Sequence, residues 1–183
     1  MRKAKVTRET SETTIRVELS LDGDGTAKVA TGIGFMDHML THLVRHGLFN
    51  LVVDAKGDLE IDGHHTVEDV GISLGKAFAQ ALGDGRGIVR FGHAVIPMDE
   101  ALAEVAVDIS GRPFLHFEAE LPRGKVGEFD AELTEEFFRA FAVNARARHA
   151  LAITPNQNCD GGFLDHQPSG WSAASAMAIC SSM

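Results

Sequence analysis

The sequence has 183 residues, 44% of them hydrophobic and 23% charged, with a formal net charge of −9 at pH 7. That size suits one globular domain, or two small halves sharing a core. A mean hydropathy near zero, with no apolar run approaching ~18 residues, argues against a membrane span, and the acidic balance disfavours nucleic-acid partners, whose phosphates call for basic clusters.

In chain order, Ile15, Val17, Leu19 and Leu21 alternate with polar residues, which predicts a half-buried strand. Asp22-Gly23-Asp24-Gly25 has hairpin-turn chemistry, so residues 26–31 are expected to return as its partner strand. Met36, Met39, Leu40, Leu43 and Val44 recur at helical spacing over 36–46, with Gly47 as the stop. Phe49, Leu51 and Val53 mark a further strand, followed by a turn at Lys56-Gly57-Asp58 and a short strand over 59–61. A second helix runs from His64 or His65 to Leu82, carrying Val67, Val70, Leu74 and Phe78, and ends in the glycine-rich segment 83–87.

The later part repeats this grammar. Strands are predicted over 88–96, 101–109 and 114–121, with a turn at Ser110-Gly111-Arg112-Pro113, then a helix over 132–148 on Phe137, Phe138, Phe141, Ala142 and Ala145. The pattern predicts an α+β fold built by internal duplication, with a first half over 1–85, a second over 86–183, and helices on one face of mainly antiparallel sheets. Residues 150–183 are atypical. From His149 onward there is no Lys, Arg or Glu, yet this segment holds Cys159, Cys180 and the single Trp171. Turn formers interrupt it, and any helix over 171–182 has a poor amphipathic pattern, so loose packing and an exposed apolar patch are expected there. Such an abrupt change of composition is what a shifted reading frame would produce. Two cysteines are too few for a disulfide framework, and the basic start Met1-Arg2-Lys3 runs into polar residues rather than the apolar core of a signal, so the expected compartment is the cytoplasm.

Five of the nine histidines lie between His38 and His65. In Asp62-Gly63-His64-His65-Thr66-Val67-Glu68-Asp69, at a strand-to-helix junction, His64 and Glu68 are four apart on one helix face, as are His65 and Asp69. Adjacent histidines point in different directions and could serve two metals or two subunits. Imidazole with carboxylate suits Mn, Fe or Zn; the plainer reading is a helix start with Asp62 near the cap and Glu68 complementing the dipole. His38, His42 and His46 form a stripe at i, i+4, i+8, open to metal, proton-transfer and capping roles, with His42 read as a solvated edge. Arg90 and Arg112 sit at Gly-rich bends that suit bidentate phosphate recognition or a surface ion pair. Segment 83–87 lacks the Lys-Ser/Thr of a P-loop, and no Cys-x-x-Cys occurs.

Six motifs then occur in order: Gly34-Phe35-Met36-Asp37-His38-Met39-Leu40 with His46-Gly47, the His64-His65 motif, Arg90-Phe91-Gly92, Pro97-Met98-Asp99-Glu100-Ala101-Leu102, Asp108-Ile109-Ser110-Gly111-Arg112-Pro113 and Glu136-Phe137-Phe138-Arg139-Ala140. Over residues 1 to about 148 the chain resembles the imidazoleglycerol-phosphate dehydratases of histidine biosynthesis. The resemblance implies a duplicated fold of the ribosomal protein S5 domain 2-like type and homo-oligomers, commonly of twenty-four subunits (a 24-mer), with paired manganese (Mn2+) ions between subunits. It implies a lyase that removes water from D-erythro-imidazole glycerol phosphate to give imidazole acetol phosphate. Carried over by position, His38, His64, His65 and Glu68 resemble metal ligands. Glu12, His46 and Glu68 resemble catalytic groups, and Glu12, His38, His46, His64, Arg90 and Arg112 resemble substrate contacts, the two arginines as a phosphate clamp. The chemistry suits such a site: the proton to be lost is not next to a carbonyl, and metals on both imidazole nitrogens would stabilise negative charge in the ring. The family's second His-His-x-x-Glu and its closing Pro-Ser-x-Lys-Gly have no counterpart after Arg148. A non-catalytic metal-binding relative and a metal-dependent hydrolase are the alternative readings.

Overall fold

The alternation in Thr13–Ser20 buries Thr13, Ile15, Val17 and Leu19 on one face and leaves Thr14 and Arg16 exposed, the pattern of a strand covered on one side only. A computed structural model describes residues 1–98, 101–119, 121 and 124–155. Its elements run β1 (Lys3–Glu9), β2 (Thr13–Ser20), β3 (Ala27–Ala30), α1 (Gly34–Gly47), β4 (Asn50–Gly57), α2 (His64–Leu82), β5 (Phe91–Met98), β6 (Ala101–Asp108), β7 (Phe114–Ala119), β8 (Lys125–Val126), β9 (Phe129–Asp130), α3 (Leu133–Ala145) and β10 (Arg148–Pro155).

The two four-stranded sheets have the same plan. The first is ordered β1-β2-β4-β3 and the second β5-β6-β10-β7, each with one parallel pair at the end, β3 with β4 and β7 with β10. A parallel pair needs a crossover connection, which α1 supplies in the first half and α3 in the second. α1 lies against β3 as α3 lies against β7. This matching order, pairing and helix placement is the duplication read from the sequence.

Several expectations are corrected. Residues 26–31 do not return against β2: β2 is flanked by β1 and β4, both antiparallel to it. β3 instead runs parallel to β4. The Asp22–Gly25 turn is held by Asn50, whose Oδ1 accepts from the backbone N–H groups of Asp24 and Thr26 at 2.9 and 3.0 Å. Residues 59–61 form a turn with Ile61 exposed rather than a strand. β1 and the small β8–β9 pair carried no readable signal. Only Val6 of β1 is buried, and Lys3 and Lys5 mark it as a charged sheet edge. The atypical segment begins with order: Arg148–Pro155 forms β10, paired with β6 on one side and β7 on the other. The expectations for Cys159, Trp171, Cys180 and the helix over 171–182 lie outside the described residues.

α2 crosses the inner face of the first sheet on β1 and β2, and packs its other side against α3. Val67, Val70 and Leu74 join Ile15, Val17, Leu19, Leu51 and Val53 in the larger core. A smaller cluster of Ala103, Val105 and Phe138 fills the second half, and Leu43, Phe137 and Phe141 touch both. The α2–α3 crossing is close because α2 offers glycine there. A Cβ at Gly71 would stand 2.8 Å from the Phe137 carbonyl oxygen, and one at Gly75 would stand 2.6 Å from that of Phe141 and 2.9 Å from the Ala145 nitrogen. Those neighbours are backbone and cannot swing aside.

Gly75→Ala is therefore expected to lower unfolding free energy by about 1–3 kcal/mol, as overpacking does. Gly34→Ala, whose added methyl meets nothing within 4 Å, should be neutral or slightly stabilising. Urea denaturation of both variants beside the parent checks the sign of each.

Candidate functional site

The helix starts converge. Gly63, which precedes α2, lies where an added Cβ would be 3.3 Å from Ile33 at the start of α1 and 3.5 Å from Leu133, the first residue of α3. His38 is one turn inside α1, and His64 and His65 open α2. Asp62 secures that opening by accepting from the His64 backbone N–H at 2.7 Å, close to the capping role the sequence suggests. On α1, Asp37 Oδ1 accepts from both the backbone N–H (2.8 Å) and the hydroxyl (2.6 Å) of the buried Thr31, which pins the turn carrying His38.

The His64 and His65 rings stand perpendicular, at 89° with centroids 6.0 Å apart, so they address two directions as their adjacency implies. His65 Nδ1 lies 2.9 Å from Asp58 Oδ2, with Asp58 14% and His65 46% exposed. An ionised carboxylate only accepts, so Nδ1 carries the proton and the neutral ring keeps its lone pair on Nε2. This carboxylate-backed imidazole is the arrangement that orients histidine ligands in metal sites. The same hydrogen bond raises the His65 pKa, assisted by the charges of Asp58, Glu12 and Asp62. Asp69, one turn on from His65, does not pair with it, because Asp69 is buried against the first sheet.

Glu12 is exposed in the β1–β2 turn and accepts from Ser11 Oγ at 2.5 Å. That bond, then Thr10 and the nearby His65, hold its carboxyl below the usual glutamate range, so it is ionised at neutral pH. Glu12 and His65 thus face one another electrostatically across two elements. Along α1 the His38–His42 and His42–His46 ring centroids are 4.4 and 5.9 Å apart, a continuous imidazole stripe. Burial lowers the His42 pKa, and His38, His46 and Arg45 lower it further, so His42 stays neutral.

The arginines are built on the other sheet. Arg90, just before β5, grips Asp108 at the end of β6 through Nε (2.6 Å) and Nη2 (3.2 Å), and its guanidinium lies 4.8 Å from the Phe91 ring centroid. Arg112 is exposed in the turn after β6, and its charge acts on Asp108, whose carboxyl is depressed first by Arg90. Asp108 thus holds Arg90 directly, while Arg112 lies exposed four residues further along the chain.

Among the described residues no three His, Cys, Asp or Glu side chains are arranged to hold a metal ion. His38, His64, His65 and Glu68 lie in the first turns of α1 and α2, without a third donor brought close enough to hold an ion among the described residues. The donor types fit a borderline divalent cation, and the Asp58-backed His65 is oriented for one. His149 stands on β10, and His166 is outside the described residues. Asp58, Thr10 and Thr13 were not singled out from sequence, and Asp69 is read there only as sharing a helix face with His65: Asp58 reads there as a turn residue, and its histidine partner is seven positions away.

The model for imidazoleglycerol-phosphate dehydratase matches residues 31–160. An imidazoleglycerol-phosphate dehydratase of Gluconacetobacter diazotrophicus is 58% identical over 158 residues, covering 86% of this chain and 80% of that protein. That of Azorhizobium caulinodans is 61% identical over 145 residues, covering 79% and 74%. The crystal structure of the Staphylococcus aureus enzyme aligns with a TM-score of 0.79 at 36% identity, over 98% of this chain and 94% of that one. A Pyrococcus furiosus structure in complex with (S)-C348 aligns at 0.70 with 29% identity, covering 96% and 86%. With the duplicated fold and the clustered histidines, these likenesses place the chain in the imidazoleglycerol-phosphate dehydratase family.

Proposed function

We propose that the chain is a cytoplasmic hydro-lyase of histidine biosynthesis that converts D-erythro-imidazole glycerol phosphate to imidazole acetol phosphate, working with manganese in a homo-oligomer. The reading rests on the imidazole–carboxylate cluster at the start of α2, in a chain of this family. His38, His64, His65 and Glu68 would hold the metal, two ions per site. The incomplete ligand set within one chain suits completion by a neighbouring subunit. Manganese held by these residues would supply a Lewis acid, lowering the cost of negative charge on the substrate ring.

The chain's own residues carry the rest. Glu12, its carboxyl held low by Ser11 and Thr10, would accept the weakly acidic carbon-bound proton. His46, exposed in the last turn of α1, contacts the substrate. Arg112 and Arg90 hold the phosphate, so that the glycerol chain lies with its leaving hydroxyl oriented. Arg90 is already committed to Asp108, which makes Arg112 the stronger phosphate contact.

Incubating the purified protein with Mn2+ and imidazole glycerol phosphate should yield imidazole acetol phosphate. Bound metal without turnover would favour the non-catalytic reading. Release of inorganic phosphate would favour the hydrolase.

His64→Ala and His65→Ala should each lower bound manganese, and Asp58→Asn should weaken metal affinity on the order of 10-fold through loss of ring orientation. Equilibrium dialysis with elemental analysis of folded protein reads all three; unchanged stoichiometry in the histidine variants would remove them from the ligand set.

Arg112→Ala should weaken binding of a phosphate-bearing substrate analogue by about 2 kcal/mol, the loss of a charge-assisted contact. Calorimetric titration gives the number, and an affinity equal to the parent's would make Arg112 structural.

A further inference from the structure

Asp69 is 5% exposed and directly follows Glu68, yet its carboxylate is turned to β1 and β2. Both of its oxygens are used. Oδ1 accepts from Arg8 Nε on β1 at 2.7 Å, and Oδ2 accepts from the Thr13 hydroxyl at the start of β2 at 2.5 Å. These residues flank the turn that carries Glu12.

The bonding has a direction. The carboxylate can only accept, so Thr13 Oγ1 spends its proton on Asp69 and is left as an acceptor. Thr10 Oγ1, 3.2 Å from Thr13 Oγ1, must therefore donate to it. With its proton committed, Thr10 Oγ1 turns its lone pairs to the backbone N–H groups of Glu12 (3.2 Å) and Thr13 (2.9 Å). A further bond from the Thr10 N–H to the Thr13 carbonyl, at 2.9 Å, closes the turn. From Asp69 outward every proton has one assignment, and the chain of bonds ends on the backbone of Glu12.

We propose that Asp69 is a positioning residue: through Thr13 and Thr10 it fixes the β1–β2 turn, and so the Glu12 carboxylate, relative to the first turn of α2 that presents His65. The inference rests on the reading of Glu12 as the proton-accepting group. Asp69 lies on the same helix as His64, His65 and Glu68, so one rigid element sets both sides of the site. The relay contributes orientation, and no proton passes along it in turnover.

The test uses the full-length, manganese-loaded protein for kinetics and the metal-free protein for amide exchange. Thr13→Val keeps the shape of the side chain and removes the hydroxyl. It should lower kcat by about tenfold or more while moving KM less than about threefold, because the substrate contacts remain. Thr13→Ser, which keeps the hydroxyl, should stay within about twofold of the parent. Asp69→Asn should behave like Thr13→Val, since an amide nitrogen opposite Arg8 sets donor against donor, and one opposite Thr13 reverses that hydroxyl and frees the Thr10 proton from its single assignment. In metal-free Thr13→Val the amides of Glu12 and Thr13 should exchange about tenfold faster than in the parent, with the α2 amides unchanged. Should Asp69→Asn fail to fold, the Thr13 pair carries the test alone.

A further variant separates the two readings. If Glu12→Gln lowers turnover steeply but measurably, while Thr13→Val keeps the parent's kcat and exchange at residues 10–13, the positioning role is wrong and the role of Glu12 stands. If Glu12→Gln turns over like the parent, the catalytic reading of Glu12 is overturned and Asp69 positions no reacting group. If Thr13→Val costs the same factor in the Glu12→Gln background as in the parent, it acts independently of Glu12 and the proposal falls; loss of that factor supports it.

Discussion

The closeness with which α3 settles on α2 governs the rest of the molecule. Gly71 and Gly75 give α2 a bare strip where the backbone of Phe137, Phe141 and Ala145 approaches to distances that leave no room for a Cβ. The opposite side of α2 is filled by Val67, Val70 and Leu74 against the first sheet. A helix packed on both sides cannot roll or slide without breaking a close-packed contact. Its first turn is consequently a fixed platform, on which His64 and His65 hold perpendicular directions.

The duplicated plan places the two kinds of chemistry on different halves. Each sheet has the same order and the same parallel pair. The first half carries imidazoles at the helix starts and Glu12 in the β1–β2 turn, whereas the second carries Arg90 and Arg112 at the β5–β6 end of its sheet. Leu43, Phe137 and Phe141 belong to both cores and keep the halves in one body. The second core is lean, built on Ala103, Val105 and Phe138 among the described residues, so its geometry leans on the α2–α3 contact.

Four aspartates do the local positioning. Asp37 pins Thr31 beneath the His38 turn, Asp58 backs His65, Asp69 ties α2 to β1 and β2, and Asp108 holds Arg90. Each accepts from donors remote in sequence or on another element. A carboxylate with two oxygens and no proton suits this task, because it fixes which partner must donate. The acidic net charge that disfavours nucleic acid is in part this set of orienting groups.

The sequence by itself determined the periodic elements: both long helices of the first half, the alternation of β2, the duplicated order and the histidine-rich helix start, since these follow from local spacing and from motifs that lie close along the chain. The family, too, was legible in six ordered motifs. Strand partners were not. The Asp22–Gly25 turn has hairpin chemistry, yet β3 joins β4 in parallel because α1 returns the chain on the same side, and no local signal reports where a crossover lands. β10 was obscured by the odd composition that follows it, while its place between β6 and β7 depends on residues some thirty to fifty positions earlier. The actual partners of His65 and Asp69 escaped for the same reason. Helical spacing pairs His65 with Asp69, but burial against the sheet turns Asp69 toward Arg8 and Thr13, and the turn at 58 supplies the carboxylate instead. Which of two available carboxylates meets an imidazole is decided by which one the core claims first, and that is a property of the tertiary packing alone.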